Sequence, residues 1–383
     1  MLMVASFLAN TILNFVLGLA VAGLLGSAEY GRYSVAATIA AIASLAAFEW
    51  LRVSTTRSYS RDAHDERPAI LASLKLGYLG GSAAILAATA VALALGADFG
   101  LGGALVAAAA MASLATGYFD FAGARLRARF EDRAYARLIL AKNAIALATM
   151  LAAAALFRSA SLVLAMLALS SLASILLARG EARDRATKLR DGSLSSLLGF
   201  AGYGMPVLLA SVVYQGIALI NRGEVATHDG FAAAGHLSLP TDLTIRLMLS
   251  LAGALDIFLF QLAVRRLEKE GETGAQHQVA RNITIITAVM ALFLVGYLAA
   301  LPAFTALVAP QAFRSDFESL AFILAPGVAL FCTGQFAFGP IFQLRNDTAA
   351  MLISALAALA ANVLALRLAP VQTTPCGDDV WME

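Results

Sequence analysis

A chain of 383 residues with 60% hydrophobic and only 14% charged side chains lies far from a soluble domain, where about 45–50% and about 25% are usual. Its mean hydropathy is +0.78, and its apolar windows recur at roughly 20 residues, the length that crosses a hydrocarbon core of about 30 Å; the class is all-α and polytopic in a membrane. The net charge of +2 points to no nucleic-acid partner, and two cysteines, Cys332 and Cys376, build no disulfide framework.

Eleven spans are predicted, near 2–25, 33–53, 73–96, 101–121, 138–157, 161–178, 206–228, 238–260, 282–301, 318–340 and 348–368. No Lys or Arg precedes the first, and its apolar run exceeds the usual signal-peptide core of about 7–15 residues. It therefore reads as an uncleaved span. The polar turn Ser27 to Arg32, flanked by Gly26 and Gly31, returns the chain into the second span. Pro206 and Pro240 are expected to open spans seven and eight, and Pro326 with Gly327 to kink the tenth.

Charge gives the orientation. Twenty-one of the 27 basic residues fall in alternate connections, among them Arg52 to Lys75, Arg125 to Lys142, Arg179 to Arg190, Arg265 to Arg281 and Arg345. By the positive-inside rule those connections and the N-terminus are cytoplasmic. The same loops are suited to anionic lipid headgroups, which makes membrane lipids a partner.

A shift of 204 residues lays Gly26 on Gly230, Gly31 on Gly235 and Arg61 on Arg265, and the third span on the ninth. Both copies run the same way across the membrane, so the chain reads as two parallel repeats forming a two-lobed bundle. The expected division is a six-helix lobe over 1–178, a cytoplasmic linker over 179–195 and a five-helix lobe over 196–369. The sixth helix of that second lobe is expected to be missing, with 370–383 a polar tail.

Polar groups inside spans carry the functional expectation, because an arginine at a helix centre costs roughly 2.5–3.5 kcal/mol on insertion scales. Asn10 and Asn14 share a face with Thr11 in the first span; Tyr214 and Gln215 stand at the matching level of the second copy. Together they outline a hydrophilic cleft, or else hydrogen bonds between helices. Arg222 and Arg246 each lie about 12 Å from an outer helix end. They read as a substrate site for an anion, since their forks match phosphate oxygens, or as structural pairs with Glu224, Asp242 or Asp256. Glu224, Asp256 and Glu49 are the coupling candidates. No phosphate loop or metal-ligand spacing occurs, so neither an enzyme, a cofactor nor a metal site is expected.

The stretch LLGSAEYGRYSVA resembles the first periplasmic turn of the polysaccharide-biosynthesis flippases of the multidrug/oligosaccharidyl-lipid/polysaccharide exporter superfamily. YGMPVLLASVVYQGIALINRGEVATHDGFAAAGHL is similar to their seventh helix, with Tyr203, Gly204, Pro206, Arg222, Gly230 and Gly235 in place. The chain departs at Asn221, where members commonly carry Asp, and at His236 and Leu237. Members have twelve or fourteen spans against eleven here. The resemblance implies flipping of a polyprenyl-diphosphate-linked oligosaccharide across a bacterial inner membrane for surface polysaccharide biosynthesis, with other polysaccharide-assembly membrane proteins as partners. The alternative within the superfamily is an ion-coupled exporter of small drugs.

The topology has a direct check. Reporter fusions after Ala97, Arg158 and Pro310 are expected to read periplasmic, and those after Arg61, Arg129 and Arg185 cytoplasmic. A cytoplasmic signal at Arg158 would break the repeat.

Overall fold

The computed structural model describes residues 2–58, 68–97, 100–129, 131–178, 188–338 and 348–368. Among these, eleven long helices follow the predicted spans in order: α1 Leu2–Leu25, α2 Ser27–Ser58, α3 Pro68–Ala94, α4 Gly103–Ala128, α5 Asp132–Phe157, α6 Ala160–Leu177 and α7 Leu194–His228. The run Gly230–Val308 is broken by non-helical backbone at Gly271, giving α8 over 230–270 and α9 over 272–308. α10 is Arg314–Thr333 and α11 is Thr348–Leu368. Part of the expected linker (179–187), Arg61, Arg67, Arg345 and everything after residue 368, Cys376 included, lie outside the described residues.

Eight helices are long and apolar enough to cross a membrane, and α1 adds a shorter apolar run, Asn10–Leu25. The remaining two, α7 and α8, hold Arg222, Asp242, Arg246 and Asp256. Large apolar side chains stand on the outside, with Leu292 and Leu330 each 75% exposed, as lipid rather than water requires. This is a multi-pass α-helical membrane protein. Helices begin earlier than the prolines suggested: α7 starts at Leu194 and α8 at Gly230, so Pro206 and Pro240 sit inside helices. Near Pro326 the irregularity comes later than expected, as a π turn at Gly334–Phe338 following α10.

Where α2, α4 and α6 meet, small side chains dominate, whereas α2, α3 and α4 also share a cluster of Phe48, Tyr78 and Phe121. Ala36 and Ala40 of α2 meet Ala108, Ala109, Ala112 and Ala115 of α4 and Ala160 and Ala168 of α6 in one buried cluster. In lipid, where apolar contact gains no transfer free energy, such close backbone approach supplies the association. Glu29 of α2 accepts a hydrogen bond from the first backbone N–H of α6, at Ala160 (2.9 Å), and pairs with Arg32 (2.7 Å). A carboxylate there also complements the helix dipole.

The 204-residue repeat is physical. Gly26 and Gly230 both take positive φ (77° and 84°) at the two reversals, a conformation open to glycine without a Cβ penalty. Just beyond, α2 crosses α8 so closely that the repeat mates touch. Ser34 Oγ donates to Ser238 Oγ at 2.7 Å, across a separation of 204. A β-carbon on Gly31 would run into the Phe231 carbonyl and lie 2.9 Å from Gly235 N; one on Gly235 would run into the Ser27 carbonyl and lie 3.1 Å from Gly31 N. Phe231 is itself the mate of Ser27, so the contact is the same in both directions, the mark of a two-fold relation. At the basic-loop end α2 instead packs on α7, where Ser54 Oγ donates to the Phe200 carbonyl (3.3 Å) and Gly204 lies against Trp50.

Because the crossing is backbone on backbone, no rotamer change relieves an added methyl. Gly31→Ala and Gly235→Ala are each expected to cost about 1–3 kcal/mol as overpacking, read as a lower thermal midpoint of the purified protein. Gly80, with open space around it, is the control: Gly80→Ala is expected to be neutral or to stabilise by up to about 1 kcal/mol. Equal midpoints for all three variants would overturn the crossing.

Candidate functional site

The two arginines have different fates. Arg222 of α7 is 8% exposed and bonded through both terminal nitrogens. Its Nη2 donates to Asp242 of α8, while its Nη1 donates to Thr38 Oγ1 (2.6 Å) and the Ser34 carbonyl (3.3 Å) of α2. Tyr30 OH donates to the other Asp242 oxygen at 3.4 Å. Thr38 and Asp242 are 204 apart, so Arg222 reaches across the two-fold relation and ties both repeat mates together. The expectation of a joint Arg222–Arg246 anion site is corrected here: a carboxylate of the chain already occupies the Arg222 fork.

Arg246 of α8 is exposed and faces a cavity of ≈ 440 Å³. Its Nη1 donates to the Asn14 carbonyl of α1 at 2.7 Å, and Gly18, on the next turn of α1, leaves room for it: a β-carbon there would lie 3.1 Å from Nη1. Among the described residues no carboxylate pairs with Arg246 within 4 Å. The cavity lies among α1, α2, α4, α5, α6 and α8. Its lining includes Asn10, Asn14, Tyr33, Asp120, Arg127, Lys142 and Arg246.

The first-span asparagines and Arg246 line this one cavity, and Lys142 joins them. Lys142 Nζ donates to Asn14 Oδ1 at 3.2 Å. In the sequence Lys142 groups with the basic loop before the fifth span. The signal available was its place ten residues inside α5, beside Asn143, which is 1% exposed.

Tyr214 is elsewhere, in a separate cavity of ≈ 300 Å³ with Phe331, Gln335 and Ser354, between α7, the π turn and α11. Its ring meets Phe331 edge-on at 5.3 Å. Gln215 is half-buried on α7. Glu224 is exposed and bonded to His228 (3.2 Å). Glu49 is buried and accepts from Arg52. Asp256 is half-buried, with no ion pair among the described residues. A third cavity of ≈ 420 Å³, between α2, α3 and α4, is lined by alanines and aliphatic side chains with Thr89 as its one hydroxyl. It offers nothing to a charged ligand.

No family model and no curated protein matches the chain. Solved structures do. An inward-facing multidrug resistance MATE family transporter of the MOP superfamily aligns over 94% of this chain and 87% of its own, with TM-score 0.60 and 16% identity. The crystal structure of a MATE point mutant gives a TM-score of 0.59 at 14% identity over 97% and 87%. An outward-facing MATE structure gives 0.56 at 14% over the same shares. The fold is that of the MATE transporters.

Removing one member of the Arg222–Asp242 pair leaves a charge unpaired inside the bundle, which costs about 3–5 kcal/mol. Arg222→Met and Asp242→Leu are each expected to deplete the protein from membranes, and the double variant to recover most of it. Normal abundance of both single variants, with transport lost, would return Arg222 to the substrate site.

Proposed function

We propose that this chain is a membrane transporter working by alternating access between lobes 1–178 and 196–369, joined through 179–195, and that its cargo carries negative charge. The observation that carries this reading is the charge of the central cavity. Three cationic side chains, Arg127, Lys142 and Arg246, face one carboxylate, Asp120, and Arg246 turns its fork inward with no carboxylate partner among the described residues. Such a fork binds phosphate oxygens bidentately. The cavity falls within the usual range of about 300–1,000 Å³ for ligand sites.

The cargo that suits these features is a polyprenyl-diphosphate-linked oligosaccharide. Its diphosphate would meet Arg246, with Asn10 and Asn14 as further donors and acceptors, and its lipid tail would stay in the bilayer. Tyr214 borders the separate cavity beside α11 and Gln215 follows it on α7, so neither belongs to this diphosphate site. Asp256 is the coupling candidate best supported, because Glu49 and Glu224 already have partners. A second reading, an ion-coupled exporter of small molecules, draws more support from the fold: the matching structures are described as multidrug transporters. What weighs against a cationic drug is the excess positive charge of the cavity.

Proteoliposomes separate the two. On the first reading, reconstituted protein flips a fluorescent polyprenyl-diphosphate glycan. Arg246→Ala weakens its binding about 10- to 100-fold, the worth of a charge-assisted hydrogen bond of roughly 1.5–3 kcal/mol, and Arg246→Lys restores part. Export of a cationic dye, unaffected by Arg246→Ala and without glycan flipping, would establish the second reading instead.

A further inference from the structure

We propose that the Lys142 ammonium is a resident cation: it fills, from within the chain, a cradle of asparagine oxygens that would otherwise take an alkali-metal ion. The inference concerns the empty transporter and does not depend on the cargo.

The cradle is a closed ring of hydrogen bonds between α1 and α5. Asn10 Oδ1 accepts from the side-chain amides of both Asn14 and Asn143, each at 2.8 Å. Drawing both NH2 groups to one oxygen turns the two remaining amide oxygens the other way. Both face Lys142 Nζ, at 3.2 Å from Asn14 Oδ1 and 3.4 Å from Asn143 Oδ1. Flipping either amide would set an NH2 group against the ammonium and break the ring. The three asparagines together present two acceptor oxygens to the Lys142 ammonium.

A lysine within a membrane span is normally matched by a partner of opposite charge or by carbonyl groups. Here no described carboxylate lies within 4 Å of Nζ, and the one acid of the cavity lining is Asp120. Neutral amide oxygens are instead the ligands a hard monovalent or divalent cation receives. Arg246 and Arg127 face the same cavity and repel any mobile cation, whereas Asp120 attracts one. A cation tethered to α5 stays in place against that repulsion because its local concentration is set by the chain. The consequence is a cavity whose asparagine ring is complete without sodium or potassium.

The experiment compares thermal midpoints of purified protein in NaCl, KCl and N-methyl-D-glucamine chloride at equal ionic strength, without cargo. Wild type is expected to give one midpoint in all three. Lys142→Ala and Lys142→Ser open the cradle, and either is expected to gain about 2–4 °C in NaCl or KCl over the organic salt. Adding Asn14→Ala to either variant is expected to abolish the gain. Three results overturn the proposal: a wild-type midpoint that responds to alkali ions, folded Lys142 variants that do not, or variants that fail to fold in every salt. None of these bears on Arg246 and glycan flipping, so the proposed function stands or falls separately.

Discussion

The crossing of α2 over α8 at Gly31 and Gly235 is the constraint on which the rest of the molecule depends. Two backbones meet there at a distance that admits no β-carbon, and the mates Ser34 and Ser238 share a hydrogen bond beside it. Such proximity suits a membrane interior, where helices associate through small residues and interhelical hydrogen bonds. It also fixes geometry: helices in backbone contact cannot slide without leaving the contact altogether.

Arg222 extends the same seam. By bonding Thr38 on α2 and Asp242 on α8 it adds charge-assisted bonds to a junction that otherwise rests on small residues. The cost of burying an ion pair is partly offset by the hydroxyl and the carbonyl that accept from its Nη1. Arg246 lies one turn beyond Asp242 on the same face of α8, and its side chain reaches the cavity while Asp242 meets Arg222. Successive turns of one helix face thus present a carboxylate to the seam and a cation to the cavity.

The cavity itself is built on neutral polar groups. Asn10, Asn14 and Asn143 are mutually satisfied and hold Lys142 without cancelling its charge. In a low-dielectric setting an uncancelled charge has long reach. The field in this cavity is accordingly set by Arg127, Lys142 and Arg246 against Asp120, and an anion entering it is stabilised before any specific contact forms.

Much of this was legible in the residues. Apolar runs of bilayer length decided the eleven helices and their order, because a backbone in lipid has few other ways to satisfy its hydrogen bonds. The 204-residue shift foretold which glycines would be mates, since identical local geometry demands the same permissive residue at both reversals. Asn10, Asn14 and Arg246 stood out because polar groups inside a span cost free energy unless something faces them. Tertiary structure alone decided the partners. Arg222 and Arg246 are alike in type, but α8 starts at Gly230 and carries Arg246 about 24 Å from the turn against about 12 Å for Arg222, and the packing of α7 against α2 and α8 puts a carboxylate at one and leaves the other open. Lys142 looked like loop charge until α5 was seen to carry it ten residues into a helix, facing α1. Helix faces follow from periodicity, but which faces meet depends on contacts between residues more than a hundred positions apart, and no local pattern encodes those.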